Sequence, residues 1–420
     1  MFPLTEDKFL LPFLGKTLLE HQLTLAIGAG LAKFILVCNP KNQERVRAIA
    51  GNLPGASVEI AVQAEAKGIA DGLECAAPFL TEELLIINPN DIFDGAAYSA
   101  LLASRQPNQA ASILGYRVSS YFPGGYLVTN ERGILKGIVE KPGADHEPSD
   151  LVNLMVHWHT DPEALLRTIT RVETTRDDVY ECALDLMCKE GKNIRVVPYA
   201  GAWHAIKYPW HILDAVHYFL DQAESYVSPT AQVSPRACIE GKVVIGDNVR
   251  VLENAVIRGP VYIGPGSIIG NSTLVRAYSH LGTNCVVGFA TEIKGSYISE
   301  GSSFHMNYVG DSIVGANCNL GAGTITANWR FDEQNISVDV NKQLVPTKKD
   351  KLGVIMGDNC RTGINASLMP GIKIGPNSII GPGIYLTDNV DSNTMLGLPD
   401  SARPMKKNYH PHRKSTDKEE

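Results

Sequence analysis

From Val227 to Ile293 an aliphatic residue stands at every sixth position: Val227, Val233, Ile239, Ile245, Val251, Ile257, Ile263, Ile269, Val275, Leu281, Val287 and Ile293. An α-helix would spread these residues over three directions round its axis, and a single strand would have to run far beyond the roughly ten residues strands reach. The remaining solution is a coil of short strands. Each hexapeptide supplies one strand and one turn, and its aliphatic residue points into a narrow prism that only stacked neighbours can close. Gly, Asn, Asp and Pro between the aliphatics, as in IGDN and IGPGS, suit the turns. The period predicts a parallel β-helix of hexapeptide repeats over residues 226–400.

The register slips after Ile293 and resumes at Val314, Leu320 and Thr326. It pauses through WRFDEQNISVDVNKQLVPTKKDKLGV and returns at Met356, Thr362, Leu368, Ile374, Ile380 and Leu386. The pause predicts a loop thrown out from the prism. The polar end, SARPMKKNYHPHRKSTDKEE at 401–420, is expected to be disordered.

Residues 1–220 follow a different grammar. Helical stretches such as LLEHQLTLAIGAG alternate with short apolar runs such as KFILVCN, LLIINPND and GILKGIVEKP. Such alternation predicts an α/β domain with a mostly parallel, Rossmann-like sheet covered by helices. Ligands gather at the carboxyl ends of strands in such sheets, where NPND follows the run LLII. A chain of 420 residues is long enough for these two domains. Its net charge of −7 gives no electrostatic footprint for nucleic acid or an anionic membrane. The eight cysteines form no C-x-x-C pair and are expected to be buried thiols. No apolar run reaches spanning length, and MFPLTEDK is acidic where a secretory leader would be basic, so a cytoplasmic protein is expected.

Chemistry is expected where the repeat slips. GSSFHMNYVGDSIVGANCNLGAGTITANWRF sets His305, Asn307, Tyr308, Asn319 and Asn328 within two or three rungs of one another, although a solenoid needs only small turn residues there. The segments HMNYVGDSIVG and NLGAGTITAN resemble the acetyltransferase motif of bifunctional sugar-1-phosphate nucleotidyltransferase/acetyltransferases, relatives of UDP-N-acetylglucosamine pyrophosphorylase. The resemblance implies a left-handed β-helix, a homotrimer, and acetyl transfer from acetyl-CoA to glucosamine 1-phosphate. His305 would be the general base, Arg276 and Lys294 would hold the sugar phosphate, and Tyr308 and Asn319 would contact the sugar. Ala322 and Asn328 fall where acetyl-CoA and acceptor meet. Gln334 and Ser337 stand where relatives often carry a lysine.

The first half resembles the nucleotidyltransferase domain of the same family. PLT at residues 3–5 and KFLLP from Lys8 to Pro12 match its opening, without the glycine-rich G-x-G-T-R loop that precedes them in relatives. On that pattern Met1 would be an internal methionine. The resemblance assigns Gln63, Gly68 and Ala70 to the nucleotide base, with Ile69 replacing a threonine. It assigns Asp91 to Mg2+, and Lys8, Glu140, Lys141 and Asn153 to the substrates. Position 205, in AWHAIKYPWHIL, is alanine where relatives place a second metal-binding aspartate; His204 and Lys207 stand beside it as possible electrostatic substitutes. The implied substrates are a sugar 1-phosphate and a nucleoside triphosphate, with base and sugar open. Three alternatives remain: an acetyltransferase with a first domain that binds without turnover, a scaffold, and a glucose or mannose 1-phosphate enzyme with a structural β-helix.

Overall fold

The computed structural model describes residues 1–65, 67–176 and 178–397; the tail at 401–420 lies outside them. The chain divides into two compact units, Leu19–Trp203, and residues 1–18 together with the chain from His204 onward.

In the first unit the expected layering of helices on a sheet is present, and the sheet is mixed. Its central strand, Leu151–His159, pairs antiparallel with Leu84–Ile87, Ala111–Arg117 and Gly125–Thr129. Ile194–Tyr199 runs parallel to Ala111–Arg117, and Lys33–Cys38 runs parallel to Ser57–Val62 in a separate pair. The central strand is buried along nearly its whole length, because apolar layers cover both faces. One layer gathers Ile113, Tyr180, Leu184 and Met187, and the other Tyr98, Leu101, Leu154 and Val156. Helix Pro162–Ile169 begins where its sequence says it should, with proline in the first turn and Asp161 accepting from the Ala164 N–H at 2.8 Å.

The second unit is the β-helix. Among the described residues its three faces hold eight, nine and eight parallel strands, beginning at Tyr226–Val227, Gln232–Val233 and Cys238–Glu240. From Ile245 to Ile293 every sixth residue is fully or almost fully buried in one column. Burying such a side chain contributes about 1.5–3 kcal/mol, so the stack of aliphatic rungs is the main source of its stability. The corners explain the asparagines. Asn248, Asn284, Asn317, Asn359, Asn377 and Asn393 all sit at φ between 55° and 59°, the left-handed region that asparagine tolerates.

The slip is not an interruption of the stack. Ile298, Phe304 and Val309 occupy the core between Ile293 and Val314, with three steps of five residues in place of six. Corners can lose a residue while the strands stay in register: Glu292 still faces Tyr308, and Ser303 faces Asn319. The later pause is a true excursion, carrying the hairpin Ser337–Val340 with Gln343–Pro346, after which Ile355 and Met356 rejoin the strand of Ile313 and Val314. The opening segment packs on this unit: Leu14 N–H donates to His280 Nε2 at 3.2 Å, Tyr297 OH donates to Pro12 O at 3.1 Å, and the Phe13 ring lies 5.1 Å from that of Phe219. All eight cysteines are free thiols; Cys38, Cys285, Cys318 and Cys360 are buried as expected, whereas Cys75, Cys182 and Cys188 are half-buried and Cys238 is exposed.

Candidate functional site

On the third face of the β-helix the strands Leu274–Val275, Glu292–Lys294, Tyr308–Gly310 and Ile325–Thr326 lie one above another. Parallel stacking repeats outward positions from rung to rung, so side chains far apart in sequence form a vertical row. Lys294 Nζ is 2.6 Å from Asp311 Oδ2, and Arg276 Nη1 is 2.8 Å from Glu292 Oε1. Asn328 Nδ2 donates to Tyr308 Oη at 3.2 Å and also to Asp311. The fold therefore brings Arg276, Lys294, Tyr308 and Asn328 into one patch. Two acids that the sequence reading did not single out, Glu292 and Asp311, hold it in order. Their signal was present in HMNYVGD and TEIK, directly beside the residues chosen.

Burial and then Asp311 raise the Tyr308 phenol above its ordinary pKa, keeping it a neutral hydroxyl, while the Glu292 hydrogen bond holds Arg276 more firmly protonated. Cations held in place by carboxylates are aligned for an incoming anion.

His305 stands at the corner leading into this patch, between the buried Phe304 and the strand that starts with Tyr308. The corner is tightly made. Asn307 is buried; its side-chain oxygen accepts from the His305 N–H, and its Nδ2 donates to Gly321 O at 2.8 Å and Thr324 O at 3.1 Å. Asn307 is thus a clamp on the backbone. Met306 takes φ 54°, and the rung before approaches so closely that a Cβ on Gly288 would lie 2.5 Å from Phe304 O. The result is an exposed imidazole on a rigid base. Ala322 occupies the next corner in the stack, where the Gly323 N–H donates to Met306 O at 3.0 Å. Asn319 is apart from the patch, exposed on the second face. Gln334 and Ser337 belong to the excursion and are exposed.

In the first unit, Gln63 Nε2 donates to Gly68 O at 3.0 Å and to Asp71 Oδ2 at 2.7 Å, tying the end of one strand to the start of helix Gly68–Ala76. Gly68 itself has φ 86°, while Ile69 and Ala70 turn into the core. Asp91 follows the NPN turn; its Oδ2 accepts from Trp203 Nε1 at 3.0 Å, and its carbonyl accepts from Gln22 Nε2 at 3.1 Å. The Trp203 ring is braced by Phe122 and Tyr116, 4.7 and 5.1 Å away. The Lys141 N–H donates to Gly124 O at 3.1 Å, and Glu140 and Asn153 gather around Gly125, which pairs with Glu140. A Cβ there would stand 2.9 Å from Glu140 Oε2 and 3.6 Å from Asn153 Cβ. Asn88 N–H donates to Met155 O at 3.0 Å, so the turn carrying Asp91 borders the strand that carries Asn153.

Lys8 lies in a short 3₁₀ turn of the opening segment, in the other unit. His204 is half-buried with its ring 5.1 Å from Tyr218; desolvation lowers its pKa, so it stays neutral and is no substitute cation. Among the described residues no cluster of three His, Cys, Asp or Glu is arranged to hold a metal. No helix of the described residues is long and apolar enough to cross a membrane.

The nucleotidyl transferase family matches residues 1–204, and the six-repeat bacterial transferase hexapeptide family matches 242–277 and 353–384. The bifunctional protein GlmU of Methanococcus maripaludis is 36% identical over 400 residues, 94% of each chain. The bifunctional sugar-1-phosphate nucleotidylyltransferase/acetyltransferase of Sulfurisphaera tokodaii is 32% identical over 388 residues, 92% of this chain and 93% of the relative. The bifunctional protein GlmU of Methanocaldococcus jannaschii is 30% identical over 397 residues, 94% and 93% respectively.

Proposed function

This chain belongs to the family of bifunctional sugar-1-phosphate nucleotidylyltransferase/acetyltransferases, and from that premise we propose that it acetylates glucosamine 1-phosphate and then joins the product to a uridylyl group. The observation that carries the reading is the row of Arg276, Lys294, Tyr308 and Asn328 beside the His305 corner. In acetyl transfer the sugar amine attacks the acetyl carbonyl carbon of acetyl-CoA, His305 takes the proton the amine loses, and the CoA sulfur departs. Lys294 and Arg276 meet the phosphate, and Tyr308 and Asn328 supply hydroxyl and amide groups to the sugar. Asn319 is assigned with Tyr308 to the sugar, and Ala322 with Asn328 to the place where acetyl-CoA and acceptor meet.

In nucleotidyl transfer a phosphate oxygen of the sugar 1-phosphate attacks the α-phosphorus of the triphosphate, and pyrophosphate leaves. Gln63, Gly68 and Ala70 are assigned to the base, Lys8 to the phosphates, and Glu140, Lys141 and Asn153 to the sugar. Asp91, a hard carboxylate fixed by the Trp203 indole, suits Mg2+, which binds readily through one protein oxygen plus phosphates and water. A bound Mg2+ would neutralise charge on the phosphates as it develops.

The assay is direct. The full chain with glucosamine 1-phosphate and acetyl-CoA should release free thiol, and with N-acetylglucosamine 1-phosphate, UTP and Mg2+ it should release pyrophosphate. Thiol without pyrophosphate would leave an acetyltransferase with a binding-only first unit, the reading that Ala205 favours; neither product would overturn both halves. We place the enzyme in the cytoplasm as a homotrimer, for which the exposed Phe289, Met306 and Ile364 on the corners around His305 offer apolar surface. Gly125→Ala is expected to push Glu140 aside and raise KM for the sugar 1-phosphate about 10–100-fold with acetyl transfer unaffected, read by steady-state kinetics.

A further inference from the structure

Behind Asn153 runs a line of polar side chains through a core that is otherwise apolar. Asn153 Oδ1 lies 2.8 Å from His157 Nε2, His157 Nδ1 lies 2.8 Å from Tyr180 Oη, and Tyr180 Oη lies 2.8 Å from His159 Nε2. His157, His159 and Tyr180 are essentially inaccessible to solvent, and His159 Nδ1 has no hydrogen-bond partner among the described residues. Burial lowers the His157 pKa to about 3, helped by the neighbouring His159 and opposed by the Leu154 carbonyl, and burial lowers that of His159 to about 4. Both rings are neutral above those values, each with one N–H, and burial raises the Tyr180 phenol well above its ordinary range.

Neutral groups leave two directions for the chain. In one, His159 Nε2–H donates to Tyr180, Tyr180 O–H donates to His157 Nδ1, and His157 Nε2–H donates to the Asn153 amide oxygen. In the other every bond reverses. The reversed chain strands the His159 Nδ1–H as a buried donor and turns the Asn153 oxygen towards the Met155 sulfur, which has no proton to give. The forward chain strands only a lone pair and sets Asn153 Nδ2 3.8 Å from Met155 Sδ, a weak acceptor. A buried N–H without an acceptor is the costlier loss, and both ends of the chain therefore select the forward direction.

We infer that His157, oriented by Tyr180 and His159, is a positioning residue that fixes the Asn153 amide with its N–H side towards the sugar. Asn153 then offers a donor beside the Glu140 acceptor, so the site selects a sugar that presents an acceptor oxygen to one and a hydroxyl to the other. The inference rests on the reading of Asn153 as a sugar contact.

Calorimetric binding of UDP-N-acetylglucosamine to the full-length protein tests it, with binding of UTP by the same preparations reporting that the first unit is intact. His157→Phe, which removes both bonds, should weaken binding about fivefold to tenfold, and Tyr180→Phe, which removes the middle hydroxyl, by a smaller factor. His157→Gln can place an N–H where Nε2 stands and should restore binding to within about twofold, a rescue that a merely space-filling role would not produce. Histidine-selective 15N spectra should show both His157 and His159 as neutral Nε2–H tautomers. An Nδ1–H signal from either ring, or His157→Phe binding as wild type while Asn153→Ala weakens, would overturn the inference and leave the sugar contact standing. Unchanged binding by Asn153→Ala would remove the sugar contact and the inference with it.

Discussion

His305→Ala is expected to lower acetyl transfer about 10²–10⁴-fold, the range a positioned general base contributes, with pyrophosphate release within about twofold of wild type. The imidazole is exposed on a corner whose backbone is clamped by Asn307, so removing it should cost little stability. KM for glucosamine 1-phosphate should hardly move, because the residues proposed to meet the phosphate, Lys294 and Arg276, lie on other rungs. A fall in kcat alone is the signature of a group that acts on the reacting proton and not on the ground-state complex. Acetyl transfer by His305→Ala within about tenfold of wild type would remove His305 from that role and make the corner a structural feature.

The β-helix could be read almost rung by rung, because one buried aliphatic per six residues is both the sequence signal and the physical requirement for closing the prism. That same rule hid the details at the site. Ile298, Phe304 and Val309 fill the core as well as their neighbours do, but five-residue steps put them off the six-residue count, and the stretch read as a break. A corner that sheds a residue changes the period while leaving strand pairing untouched. Direction in the first unit was hidden for another reason. Alternating apolar runs and helical patterns specify layers, whereas whether Leu151–His159 runs with or against its neighbours depends on connections made at long range. Charged partners were the third gap. The resemblance named Arg276 and Lys294, but the carboxylates that pair with them, Glu292 16 residues beyond Arg276 and Asp311 17 beyond Lys294, meet them only once the rungs are stacked.

Asp91→Asn is expected to cut nucleotidyl transfer about 10²–10³-fold and to leave acetyl transfer unchanged. The substitution keeps shape and keeps an oxygen for the Trp203 indole, so what it removes is charge. That charge matters more here than where several carboxylates share the work: position 205 is alanine, and the described residues form no cluster of three metal-binding side chains. With a single carboxylate a bound cation would be held largely by the nucleotide's own phosphates, so the rate should depend steeply on free Mg2+ and fall to the same floor on adding a chelator. Trp203→Phe offers a graded comparison. It leaves the charge and the aromatic bracing but deletes the N–H that fixes Oδ2, and it should raise the Mg2+ concentration needed for half-maximal rate with a smaller loss at saturation. If Asp91→Asn released pyrophosphate within about threefold of wild type across a Mg2+ titration, the metal would have to be held elsewhere, and the turn after Leu84–Ile87 would lose its place in the chemistry.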